Sequence, residues 1–272
     1  AAIFVKLVDI SPSVIAMYRL GIGGLLLLPL ALTNKDLKKF KLKDGKFVFF
    51  AALMISMHYL AWFTSLRYTS VTSSTLIICT EPLVALAFGF VLYREKVASK
   101  QFIMLIIALI GVGVVAWGDI YLSKAMLFGD FLTFVSVIFF VAYLFINQKL
   151  VKKQSFIICT SFIFITAGVT LFIYNLIMGY KMLGFTNKEW LILLLIATIP
   201  NIGQIIFNYT LRFVKSSLIA TSILLEPLFA SALAYAVLGD QILVNHYIGG
   251  TIIIISVYIY LKLEKIMKEE LV

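Results

Sequence analysis

Long apolar stretches, separated by short polar segments, recur along the whole chain. Several approach 20 residues, the length that an α-helix needs to cross the hydrocarbon core of a bilayer. They are unbroken, whereas a membrane β-strand would alternate apolar and polar residues. The pattern predicts ten membrane-spanning helices, at residues 1–8, 12–32, 47–66, 71–93, 101–118, 130–147, 156–178, 189–211, 216–238 and 246–263.

Two further expectations concern the start of the chain and the segment between its two halves. The chain starts with Ala1 rather than Met, inside an apolar segment, so the first helix is expected to lack its beginning. A turn rich in glycine and aspartate, at residues 118–130, is predicted to separate two halves of five helices each.

The composition supports a membrane protein over a soluble helical domain. The chain is 62% hydrophobic and 13% charged, with a mean hydropathy of +1.06. A soluble domain has about 25% charged residues, so this chain lacks the polar residues to cover a water-exposed surface. The predicted class is an all-α polytopic membrane protein in contact with the lipid bilayer.

The net charge of +10 has a topological explanation. Most of the 23 Lys and Arg residues lie at one set of helix ends, above all in the loop at residues 34–46. Positive residues in short loops favour the cytoplasmic side, which predicts a plasma-membrane protein with both termini in the cytoplasm. The same placement argues against nucleic acid as a partner.

The chain repeats a short motif around a glutamate and a proline. Thr80–Glu81–Pro82–Leu83 recurs 145 residues later as Leu225–Glu226–Pro227–Leu228. This offset predicts a first repeat at residues 1–120, a second at residues 129–264 and a cytoplasmic tail at residues 265–272. Since five helices is an odd number, the second repeat should be inverted relative to the first, an arrangement common in secondary transporters.

Several longer motifs carry a family resemblance. They are His58–Tyr59–Leu60–Ala61–Trp62–Phe63, Leu66–Arg67–Tyr68–Thr69–Ser70–Val71, Glu81–Pro82–Leu83, Arg94–Glu95–Lys96, Leu225–Glu226–Pro227, Leu238–Gly239–Asp240–Gln241 and Gly249–Gly250. Together they resemble EamA-type members of the drug/metabolite transporter superfamily. The resemblance implies export of amino acids, other metabolites or drugs, and does not specify the substrate.

Glu81 and Glu226 are the first candidates for substrate binding and for proton coupling. Each lies about eleven residues into a predicted span, where an ionised carboxylate costs several kcal/mol unless it is paired, hydrated or protonated. Pro82 and Pro227 follow them and predict a helix break in each repeat, a common sign of a transporter site. The structural alternative is a pair of glutamates that hold helix kinks.

Arg19 is a candidate ligand for a substrate carboxylate, since a guanidinium can bind one through two hydrogen bonds. It could equally reach the interface or pair with a glutamate. In the third span, His58 and Trp62 are one turn apart and Tyr59 is adjacent, which favours an aromatic cavity lining. Hydrogen bonding of His58 to a neighbouring helix is the alternative.

Asn201, Gln204 and Asn208 form a polar stripe in the eighth span. Three amides facing lipid would be costly, so they should face a wet cavity or hydrogen-bond to another helix. The eighth span is the counterpart of the third, so this stripe and the aromatic residues should face each other. Tyr143 is a further candidate for substrate binding, in a weaker stripe with Ser136 and Asn147.

The sequence gives little support for a bound cofactor or for enzymatic activity. Cys79 and Cys159 fall inside predicted spans and are expected to be small buried thiols. No metal-ligand spacing, Walker motif or catalytic triad is present in the sequence, so we expect no cofactor, no metal and no enzymatic activity.

Three functional readings remain. The preferred one is a secondary transporter that exports small organic metabolites such as amino acids, by alternating access at a mid-membrane cavity between the repeats. The second is a proton-coupled multidrug or lipophilic-cation exporter, in which Glu81 or Glu226 binds the cation. The third is a membrane scaffold that transports nothing. The first two require a small-molecule substrate as partner.

Overall fold

The computed structural model describes residues 1–40, 42–93, 99–120, 123–210, 213 and 226–269. These residues form α-helices and short connections, and no strand occurs among them. The helices are α1 (Ala2–Lys6), α2 (Pro12–Leu32), α3 (Leu42–Ser65), α4 (Val71–Ile78), α5 (Glu81–Tyr93), α6 (Ser99–Ile120), α7 (Lys124–Val151), α8 (Phe156–Ile177), α9 (Asn187–Thr210), α10 (Glu226–Leu238) and α11 (Val244–Glu269). A 3-10 turn covers Lys35–Lys39.

Local signals set several of these boundaries. Pro12 is the first residue of α2, where its missing N–H is not needed. Before α9, Thr186 donates its backbone N–H to Glu189 Oε2 over 2.7 Å, and Glu189 N–H donates to Thr186 Oγ1 over 3.3 Å. This reciprocal pair is a capping box. Gly179, with φ of 67°, ends α8 in the left-handed conformation that glycine tolerates.

Eight stretches in the described part of the chain are long and apolar enough to cross a membrane. They correspond to the second to eighth and to the tenth predicted spans. The first predicted span contains only the five-residue helix α1. The ninth, at 216–238, falls partly outside the described residues, and its described part is the shorter helix α10. Leu25, Leu26 and Phe49 are more than half exposed, as expected for side chains that face lipid.

The predicted turn at residues 118–130 is too wide. α6 continues to Ile120 and α7 begins at Lys124, so Gly129 and Asp130 lie inside α7. A Cβ atom on Gly129 would lie 2.8 Å from the backbone N of Thr69. The carboxylate of Asp130 accepts a 2.6 Å hydrogen bond from Thr69 Oγ1. This glycine and this aspartate therefore serve helix packing, which explains why turn-type residues occur inside a helix.

The 145-residue offset also relates the helices themselves. α3, α5 and the start of α6 recur at this offset as α9, α10 and the start of α11. α2 and α8 match it to within one residue. The offset first seen in a four-residue motif thus extends to helix lengths and positions.

The chain divides into two compact units. Unit 1 comprises Ala1–Thr64 and Ala142–Lys215, and unit 2 comprises Ser65–Val141 and Ser216–Val272. Each unit contains helices from both sequence repeats, so the compact units and the repeats divide the chain differently.

Unit 1 is built on the close crossing of α2 and α8. A Cβ atom on Gly24 would lie 2.7 Å from the backbone N of Ile165, and one on Gly168 would lie 2.8 Å from the Cα of Gly21. Ser161 Oγ donates a 3.0 Å hydrogen bond to the carbonyl of Gly24. Small residues let the two backbones meet, and the serine links them.

In unit 2, α6 and α11 pack in the same manner. A Cβ atom on Gly249 would lie 2.7 Å from the carbonyl oxygen of Gly111 and 2.7 Å from Val115 Cγ2. The core around this contact consists of Leu76, Cys79, Leu83, Ala108, Val115, Ile253, Val257, Tyr260 and Leu261. Gly113 of α6, in contrast, is exposed and has no atom within 4 Å of its added Cβ.

We expect Gly249→Ala to lower the free energy of unfolding by about 1–3 kcal/mol, because the added methyl group overpacks a backbone contact. Chemical denaturation of the purified protein in detergent micelles measures this change. Gly113→Ala is the matched control, and it should be neutral or stabilise by up to about 1 kcal/mol through helix propensity. Equal stability of the two variants would show that the α6–α11 contact tolerates a methyl group.

Candidate functional site

Arg19 lies in α2 with only 4% of its surface exposed. It is seven residues after Pro12, which places it roughly 10 Å along the helix. Its guanidinium carbon is 4.2 Å from the centroid of the Tyr59 ring and 5.8 Å from that of Phe63. A cation held over aromatic faces is attracted by the ring quadrupole. This contact offsets part of the cost of burying a charge in a membrane-spanning helix.

The aromatic partners of Arg19 belong to a cluster on α3. His58 lies 4.6 Å from Tyr59 and 5.7 Å from Trp62 between ring centroids. Phe63 lies 5.4 Å from both Tyr59 and Trp62. All four side chains are at most 6% exposed. Phe63 was not among the predicted site residues, although its i,i+4 spacing from Tyr59 is a signal that places both rings on one helix face.

A hydrogen-bonded network centres on Asn208 of α9. Its Oδ1 accepts hydrogen bonds from Tyr143 Oη at 2.9 Å, Asn147 Nδ2 at 3.2 Å and Gln204 Nε2 at 3.5 Å. Its Nδ2 donates to Thr160 Oγ1 at 3.3 Å. The network thus joins α7, α8 and α9, and Asn208 is fully buried. Thr160 was missed because one threonine in an apolar helix carries no distinctive sequence signal.

Tyr59 connects the aromatic cluster to this network. Its hydroxyl donates a 3.5 Å hydrogen bond to Gln204 Oε1. A continuous band therefore runs from the guanidinium of Arg19, across Tyr59 and Gln204, to Asn208. The band lies entirely in unit 1 and places the α9 amides opposite the α3 aromatic residues. We call it the arginine–amide band.

Two of the polar residues singled out in the sequence lie apart from this band. Asn201 Nδ2 donates to the backbone carbonyls of Arg19 at 2.7 Å and of Ala197 at 2.8 Å. Its amide occupies the space above Gly23, so a Cβ at that position would require the Asn201 side chain to move. This geometry links α9 to α2. Ser136 lies in unit 2 and donates to the carbonyl of Thr133 in its own helix over 2.6 Å.

Glu81 belongs to unit 2 and follows an interruption between α4 and α5. α4 ends at Ile78, and α5 begins at Glu81 with Pro82 in its first turn, where a proline is tolerated. The Glu81 side chain is 5% exposed. Its Oε2 atom has no hydrogen-bond partner among the described residues. A buried carboxyl oxygen of this kind is uncommon in proteins and makes Glu81 the strongest acidic candidate.

Glu226 has a different environment from Glu81. It is the first residue of α10 and Pro227 is the second, and the Glu226 side chain is exposed. The residues immediately before it, 214–225, lie outside the described part of the chain, as does the helix break predicted at Pro227. The two glutamates are equivalent in sequence but differ in burial.

Unit 2 contains a second polar cluster that the sequence reasoning missed. The Nδ1 atom of His246 accepts a 3.2 Å hydrogen bond from the N–H of Leu243, so its Nε2 carries the proton and donates to Ser73 Oγ at 3.0 Å. Asp240 Oδ2 accepts from the N–H of Val71 at 3.0 Å, at the start of α4. Asp240 belongs to one of the motifs that carry the family resemblance, but no pattern in the sequence gave a role to His246.

A cavity of about 260 Å³ lies beside this cluster. Its lining comprises Thr72, Leu76, Ser231, Ala232, Ile242, His246, Tyr247, Gly250, Thr251 and Ile254. The lining is mostly apolar, with hydroxyl groups and one imidazole. It is large enough for several water molecules or a small organic group.

Cys79 and Cys159 are buried cysteines that form no disulfide, and they lie in units 2 and 1, respectively. The described residues contain no group of three or more His, Cys, Asp or Glu side chains that could hold a metal ion.

The described part of the chain contains eight apolar stretches of spanning length, with an arginine, a glutamate and several amides buried among them, and these features define a multi-pass membrane protein. The chain belongs to the EamA-like transporter family, which matches residues 1–117 and 127–262.

Proteins named as uncharacterized transporters are similar along most of their length. One from Clostridium kluyveri is 26% identical over 249 residues, which cover 86% of this chain and 78% of that protein. One from Archaeoglobus fulgidus is 24% identical, covering 94% and 91%. YyaM of Bacillus subtilis is 23% identical, covering 91% and 83%. A protein of known crystal structure shares the fold, with a TM-score of 0.64 and 13% identity over 93% of this chain and 88% of the other.

Proposed function

We propose that this protein is a secondary transporter that exports small organic metabolites such as amino acids. Membership of the EamA-like transporter family and the similarity to proteins named as transporters support the transport function. The arginine–amide band supports the choice of substrate class, because it combines a fixed cation, neutral hydrogen-bonding groups and aromatic faces.

The main support for an amino-acid substrate is the buried guanidinium of Arg19, which stacks on Tyr59. A guanidinium binds a carboxylate through two parallel hydrogen bonds, and an aromatic ring stacked on it fixes the plane of the guanidinium. The carbonyl oxygen of Gln204 and the faces of His58 and Trp62 suit a substrate ammonium group and side chain. An amino acid carries a carboxylate and an ammonium group, and so matches both parts of the band.

Alternating access is the mechanism that we propose for the movement of substrate. Arg19, His58 and Glu81 are all at most 5% exposed in the described conformation, so a substrate can reach them only after the protein opens. The repetition of helix lengths at a fixed offset supports two related repeats, with opposite orientations in the membrane if each has five spans. Inverted repeats commonly rock against each other around a central site and open it to each side in turn.

The second candidate is proton-coupled export of lipophilic cations, and the burial of Glu81 favours it. A buried carboxyl group can exchange a proton for a cation, which is the minimal chemistry for such an exporter. In this version Arg19 contributes little, because a positive charge repels the substrate.

We further propose a plasma-membrane location with both termini in the cytoplasm. The bias of Lys and Arg towards one set of helix ends supports this orientation.

The test is an uptake assay in proteoliposomes with a panel of amino acids and lipophilic cations, with and without a pH gradient. We expect saturable flux of one or more amino acids. Flux of cations alone, driven by the gradient, would replace the metabolite proposal with the second candidate. Inactivity with every compound, together with an intact fold by circular dichroism, would contradict both substrate assignments and leave the function open.

A further inference from the structure

A basic pocket lies in unit 1, away from the arginine–amide band. It has a volume of about 400 Å³ and is lined by Asp44, Phe47, Lys149, Leu150, Lys152, Lys153 and Gln154. These residues come from the first turns of α3 and from the end of α7 with the residues that follow it. We call it the basic pocket.

The pocket carries a positive charge that is only partly balanced. Its lining holds three lysines and one carboxylate, that of Asp44, and has a formal net charge of +2. Asp44 is 7% exposed and accepts a 2.9 Å hydrogen bond from Gln154 Nε2. The buried carboxylate is thus directed at Gln154, whereas Lys152 and Lys153 are exposed at the rim.

The position of the pocket along the helices corresponds to the lipid headgroup level. Asp44 is the first residue of one candidate membrane span, and Lys149 lies in the last turn of another. In the two turns of α3 that follow Asp44, the side chains of Phe47, Phe49 and Phe50 are about half exposed. Exposed aromatic rings next to basic side chains are typical of the membrane–water interface. A ligand in this pocket would have its charge at the lysines and its apolar part against Phe47 and Leu150.

We propose that the basic pocket binds the phosphate headgroup of an anionic phospholipid, with Lys152 and Lys153 on the phosphate and the acyl chains along Phe47. Basic pockets between membrane helices bind anionic headgroups through the same charge complementarity. The three lysines of the lining suit an anionic headgroup rather than an acyl chain alone, and Phe47 and Leu150 offer apolar contact for the chains of the same lipid. This site is separate from the proposed substrate site and does not depend on the substrate.

The proposal can be tested by native mass spectrometry of the full chain in detergent, titrated with phosphatidylglycerol or phosphatidylcholine. We expect tighter binding of phosphatidylglycerol. K152Q/K153Q should weaken that binding by about five-fold for each lysine removed and leave phosphatidylcholine binding unchanged. Asp44→Asn keeps an acceptor for Gln154 but removes the negative charge, so it should strengthen phosphatidylglycerol binding by about five-fold.

K181Q/K188Q is the matched control, because it removes two exposed lysines outside the pocket and changes the net charge equally. Equal binding of the two lipids, or an equal loss in both double variants, would overturn the proposal. Inorganic phosphate serves as the competitor. Displacement of phosphatidylglycerol by an equal concentration of phosphate would identify a free-anion site and would also overturn the lipid assignment.

Discussion

Replacing Arg19 by glutamine is expected to raise the KM for amino-acid transport by about ten- to a hundred-fold, with little change in the amount of folded protein. The reason is the loss of a charge-assisted hydrogen bond to the substrate carboxylate, which contributes about 1.5–3 kcal/mol. The glutamine amide can still donate one hydrogen bond. Glutamine can still pack against Tyr59 but carries no charge. The measurement is the initial rate of uptake into proteoliposomes as a function of substrate concentration.

Two further variants make the Arg19 experiment specific. Arg19→Lys keeps the charge but loses the planar fork and the stacking on Tyr59, so its KM should fall between those of wild type and Arg19→Gln. Arg67→Gln makes the same chemical change at an exposed arginine and should leave KM unchanged. If Arg19→Gln lowers the unfolding temperature without any change in KM, Arg19 is a packing residue and the proposed carboxylate site is wrong.

Glu81→Gln is expected to abolish the dependence of transport on a proton gradient. With one proton moved per substrate, each pH unit of gradient supports about ten-fold accumulation. The variant cannot carry that proton, so it should only equilibrate the substrate across the membrane. The measurement is the steady-state accumulation in proteoliposomes, with and without an imposed gradient.

Glu226→Gln is the natural comparison, since Glu226 occupies the equivalent position in the repeat but has an exposed side chain. Its effect on coupling should be clearly smaller than that of Glu81→Gln. A Glu81→Gln protein with full uptake and full pH dependence would exclude Glu81 as the coupling residue. Equal losses in both variants would show that sequence equivalence, rather than burial, determines the coupling role.

Much of the helical layout follows from hydrophobic length, because each apolar stretch must match the thickness of the bilayer. The sequence pattern could not locate helix contacts made by glycine and aspartate, which are more often found in turns. Gly129 and Asp130 were assigned to a turn, yet they lie in α7 and contact Thr69. The same residue types favour a turn when exposed and a close helix crossing when buried, and local pattern does not distinguish these cases.

Part of the arginine–amide band could be predicted from the helical spacing of the amides along α9. The spacing of Gln204 and Asn208 placed both amides on one face of α9, and the offset of 145 placed that face opposite Tyr59. Asn201 shares the spacing, but its Nδ2 is hydrogen-bonded to the backbone of α2.

His246 was missed altogether. Its hydrogen bond to Ser73 joins residues 173 positions apart, and no local pattern reports such a pairing. Sequence reasoning therefore found the side chains that share a helix face, but not the partners that tertiary packing supplies.

The packing of helices that are distant in sequence has a consequence for biosynthesis. α2 packs against α8, and α6 packs against α11. We therefore expect α2 and α6 to enter the bilayer well before their partners have been synthesised. At a translation rate of about 5–20 residues per second, a separation of about 145 residues corresponds to a delay of roughly 10–30 s. During that interval the glycine-lined faces of α2 and α6 lack the helices that they contact in the folded protein. Each compact unit combines residues from before and after position 141, so we expect tertiary assembly to follow membrane insertion of the later helices.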